Sequence, residues 1–185
     1  SIFNIREGGL SWFGALVGGF IGIYILSKVK KMSLGKLTDF TAAHGLIALA
    51  VGRIGCFLNG CCYGRECTAP WAVSFKEAGL SGLRHPTQLY ETFLLVTFFL
   101  LVLLWWKRKK FDGEISMIAF TLFGLARFII EFFRDNTPDQ YINGSTLSLA
   151  QYFSLLLIIV FPVIILKKKK KFPASEEINK SNHPA

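Results

Sequence analysis

Gly52-Arg53-Ile54-Gly55-Cys56-Phe57-Leu58-Asn59-Gly60-Cys61-Cys62-Tyr63-Gly64 closes an apolar run that begins near Leu46. Arg53 sets a permanent positive charge among residues that otherwise read as lipid-buried. An arginine at the centre of a spanning helix costs about 2.5–3.5 kcal/mol on insertion scales, and less toward the interface. Such a cost implies an anionic partner, either a carboxylate on another helix or a phosphate from a lipid. Gly52, Gly55, Gly60 and Gly64 surround the arginine and let another backbone or a ligand come close.

The rest of the chain supplies the membrane that this reading needs. Of 185 residues, 52% are hydrophobic and 15% aromatic, and the mean hydropathy is +0.44. The apolar runs are long and nearly charge-free, without the amphipathic period of a soluble domain. The expected fold class is therefore all-α, a polytopic transmembrane helical bundle. Five spans can be drawn, at about 10–27, 38–59, 91–106, 115–133 and 147–166. Each approaches the ~20 residues that a bilayer core requires, although the third is short. One transmembrane unit is expected over residues 1–171, followed by a disordered cytoplasmic tail over 172–185. The chain opens on Ser1 and runs through a polar stretch directly into a span, so an N-terminal portion is expected to be missing or processed. No small-residue cleavage site of the secretory kind follows the first apolar run.

The formal net charge of +9 is not spread like a nucleic-acid footprint. It sits in three clusters: Lys28, Lys30, Lys31 and Lys36; residues 107–110; and five consecutive lysines at 167–171. These read as anchors to anionic membrane lipid. Five alternating spans bring all three clusters to one side, which the positive-inside rule makes the cytoplasm. Residues 1–9, 60–90 and 134–146 then face outward, and Trp105 and Trp106 fall at the inner interface.

Depth sorts the remaining charges. Arg53 lies about six residues before the outer end of its span, roughly 9 Å in at 1.5 Å per residue. Arg127 lies at a similar depth, Glu131 and Arg134 come near the outer end of the fourth span, and His85 and Glu91 flank the start of the third. In the inner half only His44 attracts notice, and a helix–helix hydrogen bond is its expected role. Gly14, Gly18 and Gly22 form a small-residue stripe, with Gly45, Ala48, Gly52 and Gly55 as a matching face for close helix packing.

Two constellations carry chemistry. Arg127, Glu131 and Arg134, at offsets i, i+4 and i+7, share one helical face and retain a net positive charge. Together with Arg53 they offer guanidinium forks that match a phosphodiester, while structural pairing of Arg53 with Glu91 is the plainer reading. The run Arg84-His85-Pro86-Thr87-Gln88-Leu89-Tyr90-Glu91 puts a neutral-pH proton acceptor just ahead of a helix start. Gln88 and Glu91 sit about one turn apart behind it. Cys56, Cys61, Cys62 and Cys67 follow a C-x4-C-C-x4-C spacing, not a usual zinc pattern. A disulfide of Cys61 or Cys62 with Cys67, free thiols and a metal site all stay open.

These motifs, in order, resemble the prolipoprotein diacylglyceryl transferase family. The resemblance runs through Glu7-Gly8-Gly9-Leu10-Ser11-Trp12-Phe13-Gly14, the Arg53 stretch and the Arg84–Glu91 run. It continues through Arg127-Phe-x-x-Glu131-Phe-Phe-Arg134 and Leu147-Ser148-x-x-Gln151. It implies seven spans, of which these five are the last. It further implies transfer of the diacylglyceryl group of phosphatidylglycerol to the lipobox cysteine of a prolipoprotein, with release of glycerol phosphate. Arg53 and Arg127 match the family's essential pair, and Glu91, Glu131, Arg134 and His85 match residues that support activity. Gln88, Asn59, Gly64 and Gly9 are expected to complete the substrate site.

The implied setting is the bacterial cytoplasmic (inner) membrane, multi-pass, with the active site toward the outer face. The expected partners are phosphatidylglycerol, prolipoprotein signal peptides and membrane lipids, acting on a monomer with no metal, cofactor or nucleic acid. The chain departs from the family at Phe13, where a histidine is common, and at Cys56, Cys61 and Phe123, where Asn, Glu and Tyr are usual. Losing that histidine leaves His85 or Glu91 as the proton acceptor. The alternatives are a non-catalytic phospholipid-binding protein, a transporter with an anionic-ligand site, and a cysteine–metal redox protein. A transporter would show inverted repeats, and none is convincing here.

Overall fold

Helix starts follow the residues able to satisfy free backbone amides. The structure, a computed structural model, describes residues 11–75, 79–135 and 147–171, apart from the side chains of 11–17 and 171. Helix α1 (Ser11–Lys30) turns at Lys31 (φ 52°) into α2 (Leu34–Leu58). Ser33 caps α2 by accepting the Lys36 amide at 3.2 Å. A two-stranded antiparallel ribbon, β1 (Val73–Ser74) and β2 (Leu83–Arg84), pairs Val73 with Arg84 beyond the far end of α2. Next come α3 (Thr87–Trp106), α4 (Glu114–Glu131) and α5 (Leu149–Lys171). A reciprocal capping box opens α5: the Ser148 amide donates to Gln151 Oε1 at 2.9 Å, and the Gln151 amide to Ser148 Oγ at 3.3 Å.

The five expected spans are the five helices, with one instructive shift. Helix α3 begins at Thr87, a full turn before the expected start at residue 91, and so reaches 20 residues. Pro86 sets that start. Thr87 and Gln88 can lie inside because they donate to loop carbonyls, Thr87 Oγ1 to Cys62 O at 2.9 Å and Gln88 Nε2 to Cys61 O at 2.6 Å. Among the described residues, α2, α3 and α5 are long and apolar enough to cross a membrane by length and composition. The tail over 172–185, Gly9 and the side chain of Phe13 lie outside the described residues.

Burial is inverted relative to a water-soluble protein. The interior holds Asp39, Gln88, Glu91, Glu114, Glu131, Ser148 and Gln151, while Leu58, Phe93 and Leu104 are more than two-thirds exposed. Apolar side chains facing outward and paired polar groups facing inward are what a lipid solvent selects. The protein is a helical membrane protein. Its core joins α2, α3 and α4 through Ala43, Leu46, Ala50, Leu95, Phe98, Val102, Ile115, Ala119 and Ala126. Gly124 seats α4 on α5, because a Cβ there would lie 3.1 Å from both Leu157 Cβ and Ser154 O.

The three basic clusters do meet at one end. Ser33 Oγ donates to Asp112 Oδ2 at 2.7 Å, Lys109 pairs with Asp39 at 3.3 Å, and Lys169 pairs with Glu114 at 2.7 Å. The Ser33 hydroxyl, helped by Lys109 and Lys36, holds the Asp112 carboxyl below its ordinary range. Asp39 is the centre of this end. Fully buried, it accepts the Gly113 amide at 3.0 Å and the Ser116 amide at 2.8 Å. One helix thus caps the N-terminus of another, where a carboxylate also meets the positive end of the dipole.

Three expectations need correction. The inner half is not empty of chemistry beyond His44, since Asp39 organises it. His44 bonds within its own helix, Nδ1 to Phe40 O at 2.8 Å, and reaches α3 only as an edge-on ring contact with Phe99. The small-residue faces are open: a Cβ at Gly18, Gly22, Gly45, Gly52 or Gly55 would meet nothing within 4 Å.

Asp39→Ala orphans two buried amides and is expected to cost at least about 1–3 kcal/mol. It should lower the thermal unfolding midpoint in detergent clearly, whereas Asp112→Asn at the exposed rim should change it little. Equal midpoints for wild type and Asp39→Ala would refute the capping role.

Candidate functional site: two arginines on one carboxylate

The opposite halves of α2, α3 and α4 converge on Glu91. Its carboxylate is buried, and one oxygen, Oε2, receives Arg53 Nε at 2.9 Å and Arg127 Nη1 at 3.6 Å. Arg127 Nη2 lies 3.8 Å from Glu131 Oε2, one turn along α4. Glu131 Oε1 in turn accepts the Ser148 hydroxyl at 2.8 Å. A single polar chain therefore runs from α2 through α3 and α4 to the cap of α5.

Exposure divides the partners by charge. The Glu91 and Glu131 side chains are only 4% and 3% exposed, whereas those of Arg53 and Arg127 are 23% and 18% exposed. The anions are spent inside the protein, and the guanidinium groups keep surface for a further anion. Arg134 follows Arg127 at the offset of two helical turns. Such a cluster can bind and neutralise a singly charged phosphodiester, and it can stabilise charge appearing on its oxygens.

Arg134 itself is joined by a backbone bridge to Gly64. That bridge needs glycine. A Cβ at Gly64 would overlap Phe133 O and approach Thr87 Cγ2 at 2.7 Å and His85 Cβ at 2.8 Å. Its amide donates to His85 O at 2.9 Å, and the next amide, Arg65, to Phe133 O at 3.0 Å. Gly64 is thus the pin where the α2 loop, the start of α3 and the end of α4 meet. Asn59 ends α2, its amide donating to Gly55 O at 3.0 Å. Gln88 keeps one buried acceptor, Oε1, without a hydrogen-bond partner among the described residues.

His85 stands apart from the arginines. Its Nδ1 lies 3.1 Å from the Tyr90 hydroxyl, which also accepts Trp71 Nε1 at 2.7 Å. Phe133 packs edge-on against both rings. These side chains line an apolar groove of about 430 Å³ between α3 and α4, with Leu89 and Phe93 along its wall. The structure therefore brings Arg53, Glu91, Arg127 and Glu131 into contact and sets His85 at an adjoining groove.

Sequence reasoning passed over Tyr90, Trp71 and the role of Ser148. Ser148 and Gln151 were readable through their S-x-x-Q spacing, which is that of a capping box. Nothing local marks Trp71, which reaches Tyr90 only through the ribbon fold.

The cysteines are all free thiols, so the disulfide pairing of Cys61 or Cys62 with Cys67 is not formed. The Cys67 amide is taken into the ribbon, donating to Leu83 O at 2.9 Å. Cys61 instead turns back toward α2, its thiol 3.6 Å from Cys56 O. Burial disfavours the Cys61 thiolate, but hydrogen bonding with Asn59, Cys62 and Cys56 outweighs it and brings the thiol below its ordinary range.

Comparison with known proteins finds relatives over most of the chain. The family model described as prolipoprotein diacylglyceryl transferase matches residues 1–167. The phosphatidylglycerol–prolipoprotein diacylglyceryl transferase of Idiomarina loihiensis is 38% identical over 157 residues, covering 83% of this chain and 58% of the relative. That of Bordetella parapertussis is 35% identical over 160 residues, covering 83% and 59%. That of Clostridioides difficile is 36% identical over 155 residues, covering 84% and 59%. The chain spans somewhat under three-fifths of the length of these relatives.

Gly64→Ala forces a backbone carbonyl to move and is expected to destabilise by about 1–3 kcal/mol. Gly55→Ala, on an open face, should stay within about 0.5 kcal/mol of wild type. Chemical unfolding of both variants in detergent checks this pair, and an unperturbed Gly64→Ala protein would remove the pin.

Proposed function

Because the chain belongs to the prolipoprotein diacylglyceryl transferase family, we propose that it moves the diacylglyceryl group of phosphatidylglycerol onto the lipobox cysteine of a prolipoprotein. The observation that carries this reading is the meeting of Arg53 and Arg127 on one oxygen of Glu91. A carboxylate oxygen between two guanidinium groups marks the place where a phosphate oxygen would be held with the same donors.

In this reading Arg53 and Arg127 grip the phosphodiester, and Glu91 holds them in register while it is absent. The lipobox thiolate attacks the glycerol carbon bonded to the phosphate. A C–S bond forms, the C–O bond breaks, and the electron pair leaves on glycerol phosphate, whose growing charge the two arginines stabilise. The thiol must first lose its proton. His85 is the proposed acceptor, working through the Tyr90 hydroxyl that touches its Nδ1. Glu131 and Ser148 fix Arg127, and Arg134 adds positive charge at the rim. Gln88 offers its Oε1 to a hydroxyl of the headgroup, Asn59 and Gly64 shape the surrounding loop, and Gly9 is proposed as a further substrate-binding residue. The groove beside His85 suits an acyl chain or the apolar part of a signal peptide.

The setting belongs to the same proposal. Residues 1–171 are proposed as the transferase unit, a monomer in the bacterial inner membrane. The basic end lies on the cytoplasmic side and the arginine site beneath the outer leaflet, where translocated signal peptides emerge.

Arg53→Lys and Arg127→Lys keep the charge but lose the fork. Each should cut lipidation of a lipobox peptide in membranes by about 100- to 1,000-fold, as loss of an oxyanion donor does. Full activity in both variants would defeat phosphate recognition by this pair.

A further inference from the structure

Three of the four thiols converge where α2 unwinds. The sulfurs of Cys56, Cys61 and Cys62 all lie within 4.8 Å of one another. Cys56 comes from the last turns of α2, while Cys61 and Cys62 come from the loop after it. This loop is bent back by two left-handed residues, Gly60 at φ 67° and Cys62 at φ 62°. For a non-glycine residue that conformation is uncommon and has to be held by its surroundings. Here the holding is visible: Gln88 Nε2 binds the Cys61 carbonyl at 2.6 Å and Thr87 Oγ1 binds the Cys62 carbonyl at 2.9 Å. The Cys61 amide also returns to Cys56 O at 3.1 Å.

We propose that Cys56, Cys61 and Cys62 form a binding site for one thiophilic divalent d10 cation of the zinc class. Metal–sulfur bonds of about 2.3 Å place neighbouring sulfurs roughly 4 Å apart in a three-thiolate site. Small side-chain rotations therefore close the cluster without moving the backbone. Soft thiolates select such ions, and three of them leave a fourth position to solvent. Binding releases the three thiol protons and yields a tris-thiolate complex of net charge −1. That charge complements Arg53, which precedes Cys56 by three residues on the same helix. Cys67 is not one of the three thiols that converge; its amide donates to Leu83 O on β2. An occupied site pins the loop that Gln88 and Thr87 already grasp, and so stiffens the approach to Glu91 on the same helix.

The site is testable without any activity assay. Purified protein, kept reduced with a phosphine, is titrated with Cd2+ and the thiolate-to-cadmium absorption band is followed. One ion per chain is expected, and Zn2+ should displace it. Cys56→Ser, Cys61→Ser and Cys62→Ser should each weaken binding at least about tenfold, because even outer-shell changes cost that much, while Cys67→Ser binds as wild type does. In the unaltered protein, Zn2+ should shield Cys56, Cys61 and Cys62 from maleimide but leave Cys67 open to it. The proposal is overturned by absence of the band, by a folded variant of the three that binds normally, by loss of binding in Cys67→Ser, or by labelling that Zn2+ does not change.

Discussion

One carboxylate oxygen, Glu91 Oε2, ties together the helix ends at one side of this molecule. Arg53 and Arg127 come from different helices, and each would be costly alone in a membrane interior. Glu91 Oε2 stands between them and makes both tolerable. Its position depends on α3 starting early, which depends on Pro86 and on Thr87 and Gln88 finding loop carbonyls to donate to. Among the described residues, the guanidinium groups of this cluster keep more exposed surface than its carboxylates do. A network whose cations stay accessible is suited to receiving a ligand of the opposite sign rather than to being a finished strut.

The two ends of the bundle solve a shared problem with similar chemistry. A helix end inside a membrane protein cannot rely on water to satisfy its free amides. At the basic end Asp39 of α2 reaches across to the first amides of α4. At the other end Ser148 and Gln151 cap α5 reciprocally, and the Ser148 hydroxyl donates a hydrogen bond to Glu131. In the first case the cap ties two helices together. In the second it ties a helix start to the arginine cluster, so the backbone and the site share one chain of hydrogen bonds and ion pairs.

Glycines illustrate how differently one residue type can be used. The regular spacing of Gly18, Gly22, Gly45, Gly52 and Gly55 invites a packing interpretation, yet none has a neighbour where its side chain would be. Gly64, unremarkable by spacing, is surrounded on three sides by Phe133, Thr87 and His85. Close approach there lets the α2 loop run against the end of α4. Spacing along a helix shows only which residues share a face, and whether another element comes to that face is a separate matter.

The all-α membrane class, the five helices and the gathering of the basic clusters at one end follow from the sequence alone, because run length and charge placement are local and the bilayer fixes their meaning. The order of its motifs also carries the family. The pairing of Arg127 with Glu131 one turn on was legible for the same local reason, and Arg53 with Glu91 was a candidate pair only because both fall in the outer half. What only the tertiary structure decided is which groups from distant segments meet. Glu91 is shared by two arginines 74 residues apart in the chain, Asp39 caps a helix that starts 75 residues later, and His85 turns to Tyr90 and Trp71 instead of the arginines. Such contacts are set by helix rotation and loop path. Those depend on the packing of all the elements together, and no short stretch of residues encodes them.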